Sequence, residues 1–280
     1  MTLMRRRLKP IVAFIFLGIF AFGVVLAHLV TTQSRTRSLA EAEKDIPSST
    51  LTTSSSTSSA SSQEALKPII DLSAWQAPDS IDYDTLAKNI SAVIVRVQGG
   101  SNITKKNNAT DADGMDTAYQ KHITEFQKRG IPVAVYAYVL GSNKKEMRAE
   151  AKTFYKAASK YHPTYYWLDV EEKTMSDMDA GVQAFRKELA SLGAKKIGIY
   201  IGTYFMQEHG ISTSGFSAVW IPTYGTDNGY YNAAPATDLD YDLHQYTSQG
   251  RLNGYNGVLD LNQIAPTKDT QATFKKLFGS

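Results

Sequence analysis

The stretch Tyr165–Glu171 has the sequence YYWLDVE, an apolar run that ends in two acidic side chains. Predicted helices flank it, Lys144–Tyr161 before it and Met178–Leu192 after it, and the second helix stops at a glycine. A short, continuous apolar run between two helices is typical of a strand that is buried on both faces of a parallel sheet. The stretch therefore predicts an α/β fold in which strands and helices alternate.

Similar β-rich runs recur along the rest of the chain. A further predicted helix, Thr117–Arg129 with Asp116 as its N-cap, separates two of them. Eight strands between residues 67 and 280 predict a single closed barrel, and the spacing shortens after the fifth strand. We therefore predict an irregular TIM-like β/α barrel of about five β/α units followed by three strands. The predicted strands are Pro68–Leu72, Ala92–Val97, Pro132–Val139, Tyr165–Val170, Lys196–Ile201, Ala218–Pro222, Tyr241–Tyr246 and Gly257–Leu261.

The N-terminal part of the chain has a different character. A basic cluster, Arg5–Lys9, precedes the apolar run Ile11–Ala27, and about 20 helical residues span roughly 30 Å of bilayer. Residues 1–30 are predicted to be a transmembrane anchor, with the N-terminus cytoplasmic and the remaining chain outside the cell. The alternative is a signal segment cleaved near Ala27, which would give a secreted protein. Residues 31–66 are rich in Ser and Thr and predict a disordered linker to a domain formed by residues 67–280.

The composition argues against several classes of protein. The chain has no cysteine, which excludes disulfide and thiol chemistry. Residues 67–280 carry 23 Lys/Arg and 23 Asp/Glu, whereas nucleic-acid binding needs a concentrated basic surface. The five histidines show no metal-ligand spacing, and there is no phosphate-binding loop. We expect a monomer with no nucleic-acid partner, metal ion or cofactor.

Four acidic residues end predicted apolar strands: Asp71, Asp169, Glu171 and Asp260. In β/α barrels the catalytic residues lie at the carboxyl ends of the strands. Asp169 and Glu171 stand two positions apart, so they face the same side of the strand with carboxyls about 6–7 Å apart, while Glu172 faces the other way. Crowded carboxyls push one pKa upward, and a protonated acid beside an ionised one is what glycoside hydrolysis needs.

The sequence around these acids contains an ordered set of segments that resembles glycoside hydrolase family 25 lysozymes over about residues 66–265. The segments are 68–76 (PIIDLSAWQ), 130–138 (GIPVAVYAY), 166–171 (YWLDVE), 197–200 (IGIY), 219–225 (VWIPTYG), 245–247 (QYT) and 257–262 (GVLDLN). The resemblance implies an irregular barrel with an acidic groove. It also implies hydrolysis of the β-1,4 bond between N-acetylmuramic acid and N-acetylglucosamine in peptidoglycan.

By its position in the motif, Glu171 would be the general acid and Asp169 would stabilise or orient the reacting sugar, with Asp71 and Asp260 completing the site. The resemblance leaves open whether a protein carboxylate or the acetamido group of the substrate acts as the nucleophile. Aromatic side chains suit the apolar faces of sugar rings, and the candidates for stacking are Tyr138, Tyr200, Trp220 and Tyr246.

Two other functions compete with this one. The first is a non-catalytic peptidoglycan-binding module on the same barrel, and the presence of all four acids argues against it. The second is a barrel glycosidase that acts on chitin, which typically has a longer Asp-rich signature before the catalytic acids than this chain has before Asp169.

Overall fold

A computed structural model describes residues 66–100 and 109–279, and in this part of the chain eight strands close in sequence order into one barrel. Strands β1 to β7 run parallel to one another, whereas β8 is antiparallel to both of its neighbours, β7 and β1. The end at which β1 to β7 finish is called the mouth below. The strands are β1 (Ile69–Leu72), β2 (Ala92–Gln98), β3 (Val133–Tyr138), β4 (Tyr166–Val170), β5 (Ile197–Ile201), β6 (Ala218–Pro222), β7 (Leu243–Gly250) and β8 (Leu259–Ile264).

Helices connect the first six strands, which confirms the predicted α/β barrel of five β/α units followed by a less regular part. No helix lies between β6 and β7, where residues 223–242 form the connection, and β8 follows β7 as a hairpin. A last helix follows β8 and was not predicted from the sequence. The helices are α1 (Tyr83–Ala87), α2 (Tyr119–Lys128), α3 (Lys144–Ala158), α4 (Met178–Ser191), α5 (Thr203–Glu208) and α6 (Thr270–Phe278), with 3₁₀ turns at Pro78–Ser80 and Ser159–Tyr161.

Side chains alternate between the two faces of each strand, and this alternation produces one hydrophobic core inside the barrel and another between the strands and the helices. On β4, for example, Leu168 and Val170 face the helices, whereas Trp167 points into the barrel. Inside the barrel the Trp167 ring packs edge-on against Trp220, with ring centroids 5.6 Å apart. Gly198 on β5 makes room for this packing, because a Cβ there would lie 2.3 Å from ring carbons of Trp167. The interior is therefore filled by side chains, as in other β/α barrels.

The helix α6 closes the end of the barrel opposite the mouth. Its residues Leu277 and Phe278 are buried and belong to the interior core. Lys276 on the same helix forms a 2.6 Å ion pair with Asp242, which stands just before β7 begins. The interior consequently changes from apolar at the α6 end to polar at the mouth.

Two predictions about elements are wrong. The eighth strand begins at Leu259 and runs antiparallel, so Asp260 lies near the start of a strand rather than at its end. Helix α2 begins at Tyr119 with Ala118 as the N-cap, and Asp116 is a buried residue paired with Arg96 instead of the cap. Asp116 still accepts the backbone N–H of Ala118, so it supports the helix start from two residues before the N-cap.

The predicted membrane segment, residues 1–30, and residues 31–65 of the predicted linker lie outside the described residues. Among the helices of residues 66–100 and 109–279, none has the length and apolar character that a membrane crossing requires.

Candidate active site

A cavity of about 140 Å³ opens at the mouth of the barrel, and it contains the four acidic residues predicted from the sequence. Strands on opposite sides of the barrel contribute to it, so the closure of the sheet is what brings these side chains together. The residues that line the cavity are Asp71, Tyr136, Asp169, Glu171, Tyr200, Trp220, Tyr224, Gln245 and Asp260.

Asp169 and Glu171 form the β4 side of the cavity. Asp169 is buried and Glu171 stands at the rim, where its side chain reaches solvent. Both line the same cavity, as expected for positions two apart at the end of a strand. Burial, followed by the nearby charge of Glu171, raises the pKa of Asp169 well above its usual value. Loss of hydration also raises the pKa of Glu171, so this pair retains a proton at a pH where free carboxyls are ionised.

Asp71 and Asp260 face each other from β1 and β8. The two residues are partners in the antiparallel register, which places both carboxyls in the cavity even though they occupy opposite ends of their strands. Burial, followed by the charge of Asp260, raises the pKa of Asp71 well above its ordinary value. The pKa of Asp260 is raised to about 6, first by burial and then by the charge of Asp227. The cavity therefore holds two carboxyl pairs.

A network of amide and hydroxyl groups orients Asp71. One oxygen of its carboxyl, Oδ2, accepts hydrogen bonds from Gln245 Nε2 and from Asn262 Nδ2, each 2.8 Å long. Gln245 in turn accepts the hydroxyl of Tyr200 at 2.8 Å and the hydroxyl of Tyr224 on its Oε1 atom. The two hydroxyls fix which end of the Gln245 amide faces Asp71. This carboxyl is consequently held in one orientation by groups on β7 and β8.

A buried cation stands beside the acids. Arg96 on β2 pairs with Asp116, with its Nε atom 3.0 Å from Oδ2, and both side chains are largely buried. The positive charge of Arg96 partly offsets the rise in the pKa of Asp169. Asp116 also accepts the backbone N–H of Ala74 at 2.9 Å, so it ties the loop after β1 to β2.

Of the four aromatic residues that were predicted to bind sugar, two line the cavity and two lie outside its lining. Tyr200 and Trp220 line the cavity. Tyr138 is half-buried outside the cavity lining and donates its hydroxyl to Glu172 at 2.8 Å. Tyr246 does not reach the acids, because it points outward from β7 and its ring packs edge-on against Tyr231. Register explains this placement, since Gln245 is the inward residue and its neighbour must face the other side.

Sequence reasoning did not identify several residues of the site: Arg96, Tyr136, Tyr224, Gln245 and Asn262. Two of them carry a signal that the sequence contains. Arg96 interrupts an apolar strand, and Tyr136 stands at the same alternation as Ala134, which is part of the interior core. Gln245 and Asn262 carry no such signal, since neutral polar residues are also common on outward strand faces. Within residues 66–100 and 109–279, no group of three or more His, Cys, Asp or Glu side chains is arranged to hold a metal ion.

The arrangement suits acid-assisted hydrolysis of a polar substrate. A carboxyl with a raised pKa can carry a proton to a leaving oxygen, while ionised carboxylates nearby can stabilise positive charge on the reacting carbon. Glycosidic bonds are cleaved by such pairs of carboxyl groups. Because the cavity opens to solvent at the mouth, water has access to these carboxyls.

Comparison with known proteins supports this chemistry. A solved structure of a Streptococcus pneumoniae virulence factor, described as a glycosyl hydrolase 25 that participates in host cell invasion, is 58% identical to the chain. It covers 76% of this chain and 92% of its own, with a TM-score of 0.74. The catalytic domain of endolysin ply40, from bacteriophage P40 of Listeria monocytogenes, is 25% identical to the chain. The match covers 78% of this chain and 99% of that domain, with a TM-score of 0.65.

A bacterial lysozyme from Streptomyces coelicolor has the same fold at 16% identity, with 78% of this chain and 100% of that chain covered and a TM-score of 0.58. No curated protein gave a match. The model of the family described as glycosyl hydrolases family 25 matches residues 70–255. This match spans most of the chain and includes Asp71, Asp169 and Glu171. The chain belongs to glycosyl hydrolases family 25.

Proposed function

We propose that the chain is a lysozyme of the muramidase type, which hydrolyses the β-1,4 bond between N-acetylmuramic acid and N-acetylglucosamine in peptidoglycan. The observation that carries this proposal is the convergence of Asp71, Asp169, Glu171 and Asp260 in one solvent-open cavity of a family 25 barrel. Relatives described as an endolysin catalytic domain and as a bacterial lysozyme share the fold and support a peptidoglycan substrate.

In this mechanism Glu171 is the proton donor. It stands at the rim, where a polymer can reach it, and its pKa is raised by the loss of hydration. The bond between the anomeric carbon and the bridging oxygen breaks as Glu171 protonates that oxygen, which leaves with N-acetylglucosamine. A water oxygen then bonds to the anomeric carbon, and its proton restores Glu171.

The other carboxyls act on the charge that develops in the sugar. Asp169 on β4 lies deeper than Glu171, which follows that strand, and when ionised it stabilises positive charge at the anomeric carbon. Asp71, fixed by Gln245 and Asn262, orients the sugar ring or the attacking water, and Asp260 completes the acidic wall. Tyr200 and Trp220, which line the cavity, provide contacts to the bound sugar.

Fragment analysis tests the reaction. The full-length protein is incubated with purified peptidoglycan, and the soluble fragments are analysed by mass spectrometry. We expect every new reducing end to be N-acetylmuramic acid. New reducing ends of N-acetylglucosamine would refute the proposed bond. A fall in wall turbidity separates the enzyme from a non-catalytic binding module, which would bind walls without releasing fragments.

We also propose where the protein acts. The basic cluster Arg5–Lys9 and the apolar run Ile11–Ala27 support a single-pass anchor with a cytoplasmic N-terminus and the barrel outside the cell. The Ser/Thr-rich residues 31–66 then form a flexible tether that lets the barrel reach wall glycan. Cleavage near Ala27 is the alternative and gives a secreted enzyme. We propose that the protein acts as a monomer.

A further inference from the structure

Glu171, the proton donor of the proposed mechanism, stands outside regular secondary structure. The strand β4 ends at Val170 and the helix α4 begins at Met178, so residues 171–177 form a connection between them, called the β4–α4 connection below. The pairing of β4 with its neighbours includes Asp169 and ends at Val170, so it does not reach Glu171. A general acid has to lie within hydrogen-bond distance of the leaving oxygen. Contacts of the β4–α4 connection therefore decide where this carboxyl lies.

Two hydrogen bonds hold the β4–α4 connection just after Glu171. The hydroxyl of Tyr138 donates to Glu172 Oε1 at 2.8 Å. The hydroxyl of Thr174 donates to the carbonyl oxygen of Gly141, also at 2.8 Å. Tyr138 is the last residue of β3, and Gly141 follows it before α3 begins. The segment that carries the proton donor is thus attached at two points to the carboxyl end of a single neighbouring strand.

The acceptor side of this attachment is itself fixed. Buried Glu150 on α3 accepts the backbone N–H of Leu140 at 3.1 Å. A Cβ at Gly141 would lie 2.7 Å from the backbone nitrogen of Met147, so the chain after β3 lies closer to α3 than other residues would allow. The carbonyl group that Thr174 contacts therefore belongs to a segment that α3 holds in place.

Packing on α4 completes the anchorage of the β4–α4 connection. A Cβ at Gly181 would overlap Met175 Sδ, so this glycine makes room for the Met175 side chain, which also packs against the outer core. The backbone N–H of Thr174 donates to Met178 Sδ at 3.4 Å. The connection is consequently docked on both α3 and α4, while the side chain of Glu171 remains at the rim of the cavity.

We propose that Tyr138 and Thr174 are positioning residues, which clamp the β4–α4 connection to the end of β3 and so hold Glu171 against the glycosidic oxygen. The inference rests on the proposed function and deepens it. Both residues lie outside the lining of the acidic cavity, so they act through Glu171 and not on the sugar. A misplacement of about 1 Å can lower a rate by roughly 100-fold. Loss of either hydroxyl should therefore reduce turnover and leave substrate affinity nearly unchanged.

Substitutions that remove only the hydroxyl groups test this clamp. Full-length Thr174→Val and Tyr138→Phe proteins are compared with the unmutated protein in the rate of fragment release from soluble glycan strands freed of stem peptides. We expect kcat to fall roughly tenfold in each variant, with KM changed by less than about twofold. Thr174→Ser keeps the hydroxyl and should retain the kcat of the unmutated protein.

Two control variants lose equivalent hydrogen bonds elsewhere. Thr124→Val removes a hydroxyl that donates to the carbonyl oxygen of Gln120 at 2.8 Å on α2. Tyr165→Phe removes a hydroxyl that lies 2.6 Å from Ser217 Oγ, next to the start of β4 and opposite the mouth. Both should keep the kcat of the unmutated protein. Every variant is assayed well below its Tm, so that a change in kcat reports on the folded enzyme.

A second measurement separates positioning from a general structural role. A residue that acts through Glu171 has nothing to position once that carboxyl is removed. In Glu171→Gln protein, adding Thr174→Val or Tyr138→Phe should therefore leave the residual rate, measured over long incubation, unchanged. A further loss of roughly tenfold in that background overturns the clamp, as does full kcat in both single variants. Failure of the unmutated protein to release any fragment refutes the proposed function instead.

Discussion

Asp169 is a side chain whose position opposes folding. It is buried, its pKa is raised well above the usual value, and its Oδ1 atom has no hydrogen-bond partner among the described residues. A carboxyl whose pKa is raised in the folded state binds a proton more tightly there than in the unfolded chain. The stability that it contributes is therefore present below the unfolded pKa of about 3.9 and is lost as pH rises through the raised pKa.

Replacing this carboxyl should stabilise the fold and reduce the rate of wall hydrolysis. Asp169→Asn removes a carboxyl whose ionisation is opposed by burial, with little change of volume, so we expect the free energy of unfolding at pH 7 to rise by about 1 kcal/mol, or about 2–4 °C in Tm. The gain should vanish near pH 4, where Asp169 is already protonated. Thermal unfolding at both pH values measures this gain in stability. An assay of wall hydrolysis on the same variant should show a large loss of activity. A variant that is less stable at pH 7 would contradict this account of the site.

Glu171 and Glu172 provide a matched pair of substitutions. Glu171→Gln removes the proton donor, and we expect the rate of wall hydrolysis to fall by about 10²–10⁴-fold with the fold unchanged. Glu172→Gln should keep most of the activity, because a glutamine still accepts the hydroxyl of Tyr138. The charge of Glu172 helps to raise the pKa of Glu171. Removing that charge should lower the pKa of Glu171 and move the alkaline limb of the kcat/KM profile to lower pH.

A strong loss in Glu172→Gln together with normal activity in Glu171→Gln would show that the roles are reversed.

The alternation of a strand made Asp169 and Glu171 predictable from the sequence, since two positions on one face require no knowledge of the rest of the fold. The same rule does not assign Gln245 or Tyr224. Gln245 contacts Asp71, which lies more than 150 residues away in the sequence, and Tyr224 contacts Gln245, so both residues join the site only once the barrel closes.

At the scale of elements, the β7–β8 hairpin decides the geometry of the site. An apolar run predicts a strand without predicting its direction, and the sequence therefore suggested that Asp260 ended a strand. The hairpin reverses β8, and this reversal brings the start of β8 to the mouth beside Asp71. The predicted convergence of the acids was right for Asp260, but its cause is the antiparallel strand.

This hairpin can be tested through Gln245. Gln245→Leu removes the donor to Asp71 and the acceptor for the hydroxyls of Tyr200 and Tyr224. Loss of a donor to the carboxylate raises the pKa of Asp71, so the acidic limb of the kcat/KM profile should move to higher pH and kcat should fall by about tenfold. Gln249→Leu, an exposed position on the same strand, is the control and should leave both unchanged. An unaltered pH profile in Gln245→Leu would exclude Asp71 from the reaction.

The helix α6 has a structural role at the opposite end of the barrel. Leu277 is fully buried in the interior core, so Leu277→Ala should lower the free energy of unfolding by about 2–5 kcal/mol through the cavity it leaves. Denaturant unfolding measures this loss. Lys275→Ala, an exposed position on the same helix, should have little effect. The kcat of folded Leu277→Ala should match that of the unmutated protein, and a reduced kcat would mean that α6 also supports the mouth.

At the scale of the whole molecule, the sequence predicted the barrel because strand and helix patterns alternate through its first five units. It could not predict α6 as the closure of the barrel, since a short amphipathic helix has the same pattern wherever it packs. It also could not separate interior from exterior aromatic residues. Trp220 and Tyr246 both stand within predicted strands, and the register of those strands sends Trp220 into the cavity and Tyr246 outward.

The proposed topology of the whole chain is open to a protease test. The tether proposed for residues 31–66 contains Arg35, Arg37 and Lys44, at which trypsin cuts. If residues 1–30 anchor the chain with the N-terminus inside, trypsin added to intact cells without walls should release the barrel. A tag placed before Met1 should survive in the same cells until they are lysed.

Each alternative gives a different result. If the barrel resists trypsin until lysis while the tag is lost from intact cells, the orientation is inverted. If the barrel is found in the medium without trypsin, with a new N-terminus near His28, the apolar run is a cleaved signal and the enzyme is secreted. The basic cluster Arg5–Lys9 predicts the first outcome, because positive charge beside an apolar segment is retained on the cytoplasmic side. Substitution of these basic residues by glutamine should then weaken the preference for this orientation.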